Sequence, residues 1–529
     1  MDNVVVITRN IEWKKSLDFY SKGSFFDADG KSLKDDQIKN TICSLESHEA
    51  TKSYLKSIDG SFALIIESES HIYLVVDFVA STALYYTYQN SVLYISDDIH
   101  EILSRCECKV DSNRFEELFT LGYILGEETL CSGIKRIGAN TIAIFDKTHA
   151  TISTEDVLPF ENRIKHDFVE SELFNRLEVI FDEVFRKLVD SLEEKHVVLP
   201  LSGGFDSRLI ACQLKKFNVK NVTCYTYGNL ENSEVKTARM VAEKLGFNWQ
   251  FIEYSETKWQ DFLSDMLTID YLRFAGQLNT IPHIQDYPAV KYLRDNDLIP
   301  SNSVFIPGHS GDMLGGSKIP IEILESGTKN FTSKRFTKLL LRHNFNFGFA
   351  SRKTKAHLKK TLSEGRIVIP EGNDEDKVIR AFDIWNFSER QQKYIINSVK
   401  VFEFFGYEWR LPLWDRELSE FWYGLPSHYK KHNKLYNEFV NSRILSQYDL
   451  TKKPKVIKEQ SGIKLMIKRL VRFFKDILSA SGIIRRVKFF LPFEREVKKE
   501  LGFYKKKRLY DRFLMASFTV YYDRVISKL

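Results

Sequence analysis

A chain of 529 residues, 43% hydrophobic and 28% charged, has the mixture of a folded globular protein of about two to four domains, and that excludes wholesale disorder. No run of about 18 uncharged apolar residues occurs, so no spanning helix is expected, and Met1-Asp2-Asn3 lacks the basic and apolar build of a signal peptide. The net charge of +6 conceals an asymmetry: residues 455–529 hold 20 Lys and Arg against 7 Asp and Glu, a balance of +13 that leaves −7 for the rest.

The chain opens on short runs of strand character at residues 4–8, 62–67 (after the turn Asp59-Gly60), 72–76, 92–95 and 141–145. They predict a sheet-rich first domain over residues 1–160. After Glu172 the period changes. Leu173, Leu177, Phe181, Val184 and Leu188 recur at three or four residues, one face of a helix. A short apolar strand over 196–201 then runs into Ser202-Gly203-Gly204, followed by a helix over 207–216 and a second strand over 222–227 that ends at Gly228. Ser233 is expected to cap a helix over 234–245, stopped by Gly246, before a third strand over 251–254. Alternating strands and helices predict a parallel α/β sheet. Beyond about Gln260 the pattern is mainly helical. Six cysteines are too few for a disulfide scaffold and predict reduced thiols in a cytoplasmic protein. Cys106-Glu107-Cys108 is one residue short of a CxxC pair, so zinc is not expected, and Cys212 and Cys224 read as core residues.

The chemistry lies in Ser202-Gly203-Gly204-Phe205-Asp206-Ser207, between a buried strand and a helix. Adjacent glycines let backbone approach a ligand closely. The amides of the helix start and the hydroxyls of Ser202 and Ser207 form an anion cradle. Asp206 repels phosphate on its own, which points to a bridging Mg2+. The loop is not a Walker motif, since it holds no lysine.

This loop resembles the pyrophosphate loop of the N-type ATP pyrophosphatases, and within them that of the asparagine synthetase family. Gly308-His309-Ser310-Gly311-Asp312, followed by Gly315-Gly316, resembles that family's GEGxDE…GG segment. Glu408-Trp409-Arg410-Leu411-Pro412-Leu413-Trp414-Asp415 is similar to its ExRxPFLD segment, and Leu425-Pro426 with downstream lysines also fits. In the first domain Ile58-Asp59-Gly60-Ser61-Phe62-Ala63 resembles the glutaminase LxGxFA strand, with Leu84-Tyr85-Tyr86 and the stretch from Gly133 to Gly138 in family order.

The resemblance implies an α+β, Ntn-like sandwich over residues 1–160. It then implies an α/β parallel-sheet synthetase domain of the adenine nucleotide alpha hydrolase type over 170–454, with a helical C-terminal part; charge and spacing add a basic helical extension over 455–529. It also implies ATP contacts at Leu201, Ser202, Gly203, Gly204, Asp206, Ser207, Thr226, Tyr227 and Gly308, with Mg2+ on Asp206 and Asp312. A pyrophosphate lysine is expected among Lys452, Lys453, Lys455 and Lys458, with Lys453 chosen. Glu408 and Arg410 are expected to support the site floor through a buried ion pair, with substrate contact as the alternative.

Three departures shape the functional expectation. Asp2 stands where the family's glutaminase carries its cysteine nucleophile, so the first domain is not expected to hydrolyse glutamine. His309 replaces a glutamate; the relatives that close β-lactam rings use a tyrosine in deprotonating the amine. His309 is therefore read either as a base or orienting group for an amine, or as a histidine that hydrogen-bonds a tight turn. Met313 replaces an acidic residue. The expected activity is ATP-dependent amide synthesis, forming AMP and pyrophosphate, on a small-molecule or glycan carboxylate with ammonia or an amine as acceptor. A surface-polysaccharide precursor is one such substrate. The alternatives are a lactam- or peptide-cyclising ligase and a nucleotide-binding scaffold without catalysis. In the extension, Leu465, Leu470, Phe473 and Ile477 at helical spacing among basic residues read either as a peripheral contact with the inner membrane face or as a helix packed on the synthetase domain. No nucleic-acid module accompanies the charge.

Overall fold

The computed structural model describes residues 4–8, 13–16, 18–157, 169–329, 331–344, 352–364, 372–451, 521, 525 and 526. Lys452, Lys453, Lys455 and Lys458, and all but three residues of the basic extension, lie outside them.

The N-terminal part stacks two sheets. The larger runs Thr151–Asp156, Thr141–Asp146, His71–Val76, Asp59–Glu67, Phe19–Phe26, Lys14–Ser16, antiparallel throughout. The smaller pairs Val4–Ile7 in parallel with Val92–Ser96, followed by Tyr85–Gln89 and Lys135–Arg136. The period of two divides the larger sheet's side chains between two cores. Ala63, Ile65, Ile72 and Leu74 join the core shared with Tyr86, Leu93 and Ile95 of the smaller sheet. Phe62, Leu64, Ile66 and Val75 pack with Ile38 and Leu55, from the helices Asp35–Ser44 and His48–Ser57. Burial on both faces explains why these strands read as unbroken apolar runs.

Phe19–Phe26 escaped the sequence pattern because Lys22 and Gly23 interrupt it. Gly23 takes φ +103°, and a Cβ there would stand 2.0 Å from the Ser61 carbonyl oxygen.

The second sheet is wholly parallel, in the order Asn248–Glu253, Val222–Gly228, Val197–Pro200, Val304–Phe305, Glu408–Trp409. From Val197–Pro200 the chain builds outward to one side, then crosses to the other at Val304–Phe305. The order therefore reverses between these two strands, and a crevice opens beyond their carboxyl ends. The helices read from sequence are present as Leu173–Asp190, Phe205–Lys216 and Ser233–Leu245. Asn232, not Ser233, caps the last: its side chain accepts from the Glu234 amide at 3.0 Å, and Gly246 ends it at φ +71°. The helical reading beyond Gln260 missed two strands of the sheet, each two residues long. Cys212 and Cys224 are buried in the core. Among the described residues no helix is long and apolar enough to cross a membrane.

Candidate active site

The loop after the central strand is folded by its own hydroxyls. The Ser202 amide donates to Ser207 Oγ at 3.1 Å, the two hydroxyls lie 3.0 Å apart, and the Gly204 amide donates to Ser202 Oγ at 3.2 Å. Gly204 then opens the 12-residue helix Phe205–Lys216, whose first-turn amides have no partner within the helix.

The loop after Val304–Phe305 lies against this one. A Cβ on Gly308 would stand 2.9 Å from the Ser207 nitrogen and 3.2 Å from Asp206 Cβ. Asp206 is the junction of the two loops. Its Oδ2 accepts from the Asp312 amide at 3.2 Å and its Oδ1 from the Tyr436 hydroxyl at 2.6 Å. Burial, then the charge of Asp312, lifts Asp206 to about 7, against the pull of Tyr436 and the Asp312 and Gly311 amides. Met313 is buried beside them. Substituting Gly308 with Ala should push the loops apart and weaken binding of a non-hydrolysable ATP analogue by about tenfold or more, measured by calorimetry with unchanged circular dichroism.

His309 faces the crevice half-buried, its Nε2 bonded to the Ser398 hydroxyl at 2.7 Å. Burial drives it down to about 4, against the opposing pull of Asp312, so the ring is neutral at pH 7. Behind it His283 is lowered to about 3 by burial, with His309 and Arg390 acting in the same direction. The Ser310 hydroxyl donates to Gln391 Oε1 at 2.9 Å. Arg390, next to Gln391 in the chain and close enough to act on His283, makes no ion pair or hydrogen bond with the described residues.

At the neighbouring strand end the Thr226 hydroxyl donates to the Leu201 carbonyl at 2.8 Å and accepts from Trp249 Nε1 at 3.0 Å. The Tyr227 ring stacks on Tyr254 at 4.7 Å. Tyr225, at 3.0 Å, and Tyr227 both hydrogen-bond to the buried Asp286, which burial lifts to about 6.

Ser202, Gly203, Gly204, Asp206, Ser207, Gly308, His309 and Asp312 thus meet at one crevice, with Leu201, Thr226 and Tyr227 on its flank. Glu408 and Arg410 do not meet there. Glu408 is in register with Val304, and Val304 with Val197, at the amino ends of the strands. There Glu408 pairs with Lys195 at 2.7 Å and with Arg410 at 3.0 Å, and Arg410 also reaches Ser191 Oγ at 3.1 Å. The pair is partly exposed and pins the edge strand to the turn before Val197–Pro200, so the expected buried floor is corrected.

Four residues here carried no local signal: Tyr436, Ser398, Arg390 and Arg208. Arg208 is buried. Its Nε donates to the Gly204 carbonyl at 2.9 Å and its Nη1 to the Leu450 carbonyl at 3.1 Å. The chain that leads to Lys453 therefore leaves the described residues from a point tied to the glycine loop.

Residues 181–440, just under half of the chain, match the family described as asparagine synthase. No curated protein matches the chain. Among solved structures it is similar to an NH3-dependent NAD synthetase from Campylobacter jejuni, at 18% identity over 43% of this chain and 95% of that one, TM-score 0.21. It is similar also to a U34-tRNA thiolase from Methanococcus maripaludis, at 18% identity over 42% of this chain and 79% of that one, TM-score 0.19. A glutamine phosphoribosylpyrophosphate amidotransferase from B. subtilis aligns at 9% identity over 56% of this chain and 62% of that one, TM-score 0.18.

Proposed function

We propose that the crevice joins a carboxylate to ammonia or an amine through an acyl-adenylate, converting ATP to AMP and pyrophosphate. The observation that carries this reading is the junction of the two loops at Asp206, whose carboxylate accepts from the Asp312 amide and feels the Asp312 charge. A carboxylate is a poor acyl acceptor because oxide is a poor leaving group. In the first step its oxygen attacks the α-phosphorus and pyrophosphate departs. In the second an amine nitrogen attacks the acyl carbon and AMP departs.

Asp206 and Asp312 fit a Mg2+ ion: they offer two hard carboxylates, and burial, then the charge of Asp312, lifts Asp206 to about 7. When bound, that ion offsets the charge gathering on pyrophosphate. The chain's own groups do the rest. The loop amides and hydroxyls bind the phosphates. The strand ends at Leu201, Thr226 and Tyr227 bracket the adenosine. Arg390 is assigned to the substrate carboxylate, and Lys453, outside the described residues, is the lysine assigned to the pyrophosphate. A ring that titrates at about 4 is a weak base, so His309 is assigned the orienting duty: its Nε2 stays with Ser398 while the ring meets the incoming amine.

The test is carboxylate-dependent ATP–pyrophosphate exchange across a panel of amino acids and sugar acids, glycan precursors included. Exchange with one class supports the reading, and silence across the panel favours a nucleotide-binding scaffold. With the carboxylate in hand, His309→Ala should leave exchange within about threefold yet slow amide formation about tenfold to a hundredfold. Equal losses in both half-reactions would show that His309 does not act on the amine.

A further inference from the structure

A cavity of about 370 Å3 lies between the smaller N-terminal sheet and the helices behind the crevice. Tyr85, Asp97, Asp98 and Arg136 line it from one side, and Gln392 and Asn397 from the other. No residue of the 201–207 or 308–312 loops touches it.

Arg136 is the group to explain. It is 6% exposed, donates from Nη1 to Asn279 Oδ1 at 3.0 Å, leaves Nε without a partner, and has no ion-pair partner among the described residues. Two lysines buried as deeply meet carboxylates, Lys393 with Glu389 at 2.6 Å and Lys430 with Asp383 at 2.6 Å, whereas buried Arg208 bonds the Gly204 and Leu450 carbonyls. Glu389 acts on Arg136 only at a distance, and a buried guanidinium without an ion-pair partner is expensive, so a ligand carboxylate would relieve it. Asn397 Oδ1, across the cavity, is also buried and unpartnered.

The acids that line the cavity are held by other groups. Trp13 Nε1 donates to Asp97 at 2.9 Å, and the Asp98 side chain caps a short helix at the His100 amide at 2.9 Å. Both stand near the Tyr85 hydroxyl, which burial pushes up to about 12, Arg136 opposing and the two carboxylates adding to the rise. Asp270, Arg273 and Lys400 complete the charged lining. Three acids and three bases suit a ligand that is neutral overall with its charges apart. A polyphosphate would face Asp97 and Asp98, and a simple amine would face Arg136.

We infer that this cavity is a binding site for a free α-amino acid, its carboxylate on Arg136 and its ammonium toward Asp97 and Asp98. The volume admits a side chain beyond the α-carbon, and separation from the nucleotide loops makes the site independent of the ATP reading.

The experiment is isothermal titration of the full chain with each standard L-amino acid, followed by the N-acetyl and methyl-ester forms of any that binds. Binding of at least one amino acid is expected, weakened about tenfold or more in both blocked forms. Arg136→Gln should lose about tenfold or more of that affinity. Ala83→Leu, which fills the cavity without changing charge, should do the same and decides the matter where the arginine variant does not fold. ATP–pyrophosphate exchange should persist in both variants, so failure here is distinguishable from failure of the ATP reading. No binding by the unaltered chain overturns the inference. So does an amino acid whose affinity survives the folded variants, since it then occupies the crevice instead.

Discussion

Asp206→Asn is expected to lower ATP–pyrophosphate exchange by about a thousandfold or more while the protein stays folded. Asparagine keeps the size and one carbonyl oxygen, so it can still accept from either the Tyr436 hydroxyl or the Asp312 amide, which now bind Asp206 at 2.6 and 3.2 Å. What it loses is charge. In the proposed reaction that charge holds a divalent ion against the departing pyrophosphate, an interaction that strengthens as the transition state forms. Asp312 alone, followed by Met313 where the family carries a second acid, would then be a single carboxylate at the pyrophosphate end. The measurement is exchange of labelled pyrophosphate into ATP with the activating carboxylate, with circular dichroism and thermal unfolding as controls. Exchange retained within about tenfold would move the chemistry away from this crevice. Tyr436→Phe offers a graded version: it removes one hydrogen bond that pulls Asp206 downward, so a smaller loss in the same assay is expected.

The loop was legible because its residues are contiguous. Strand, glycine pair and helix follow within 20 residues of Val197 and mark a strand-to-helix ligand loop by local pattern alone. The first-domain strands at Asp59–Glu67 and His71–Val76 were legible because their apolar runs are long. The rest of the crevice comes from far along the chain. Tyr436 is 230 residues from Asp206 and Leu450 is 242 from Arg208, and no periodicity links such pairs. Val304–Phe305 is two residues long, and its strand identity comes from the Val197–Pro200 edge it pairs with. Glu408 and Arg410 show a different limit. Motif likeness picked out the residues but not the end of the sheet on which they sit, which register with Val304 decides. Lys22 looked like an interruption of a strand. It is buried instead, 3.9 Å from Glu403, a partner 381 positions away by sequence.

Replacing Lys393 with Met is expected to destabilise the protein by about 3–5 kcal/mol, because it strands a buried carboxylate. Lys393 is 2% exposed, and its ammonium meets three acceptors: Glu389 at 2.6 Å, the Ile124 carbonyl at 2.8 Å and the Gly126 carbonyl at 2.5 Å. Three acceptors satisfy all three of its N–H groups. Burial alone would neutralise the pair, pulling Lys393 down and pushing Glu389 up, and each opposes that shift in the other. Glu389 also accepts from the Gly126 amide at 3.2 Å, so the pair fastens the 124–126 turn of the N-terminal part to the helical run that carries Arg390 and Gln391. That run is wound wider than an α-helix over Asn386–Ile395, and its groups reach both the crevice and the turn. The measurement is urea unfolding followed by tryptophan fluorescence. Combining Lys393→Met with Glu389→Gln should recover part of the loss, since a neutral amide tolerates the site and still accepts from Gly126. A double variant no more stable than Lys393→Met would mean that the lost bonds to Ile124 and Gly126, and not the orphaned charge, carry the cost.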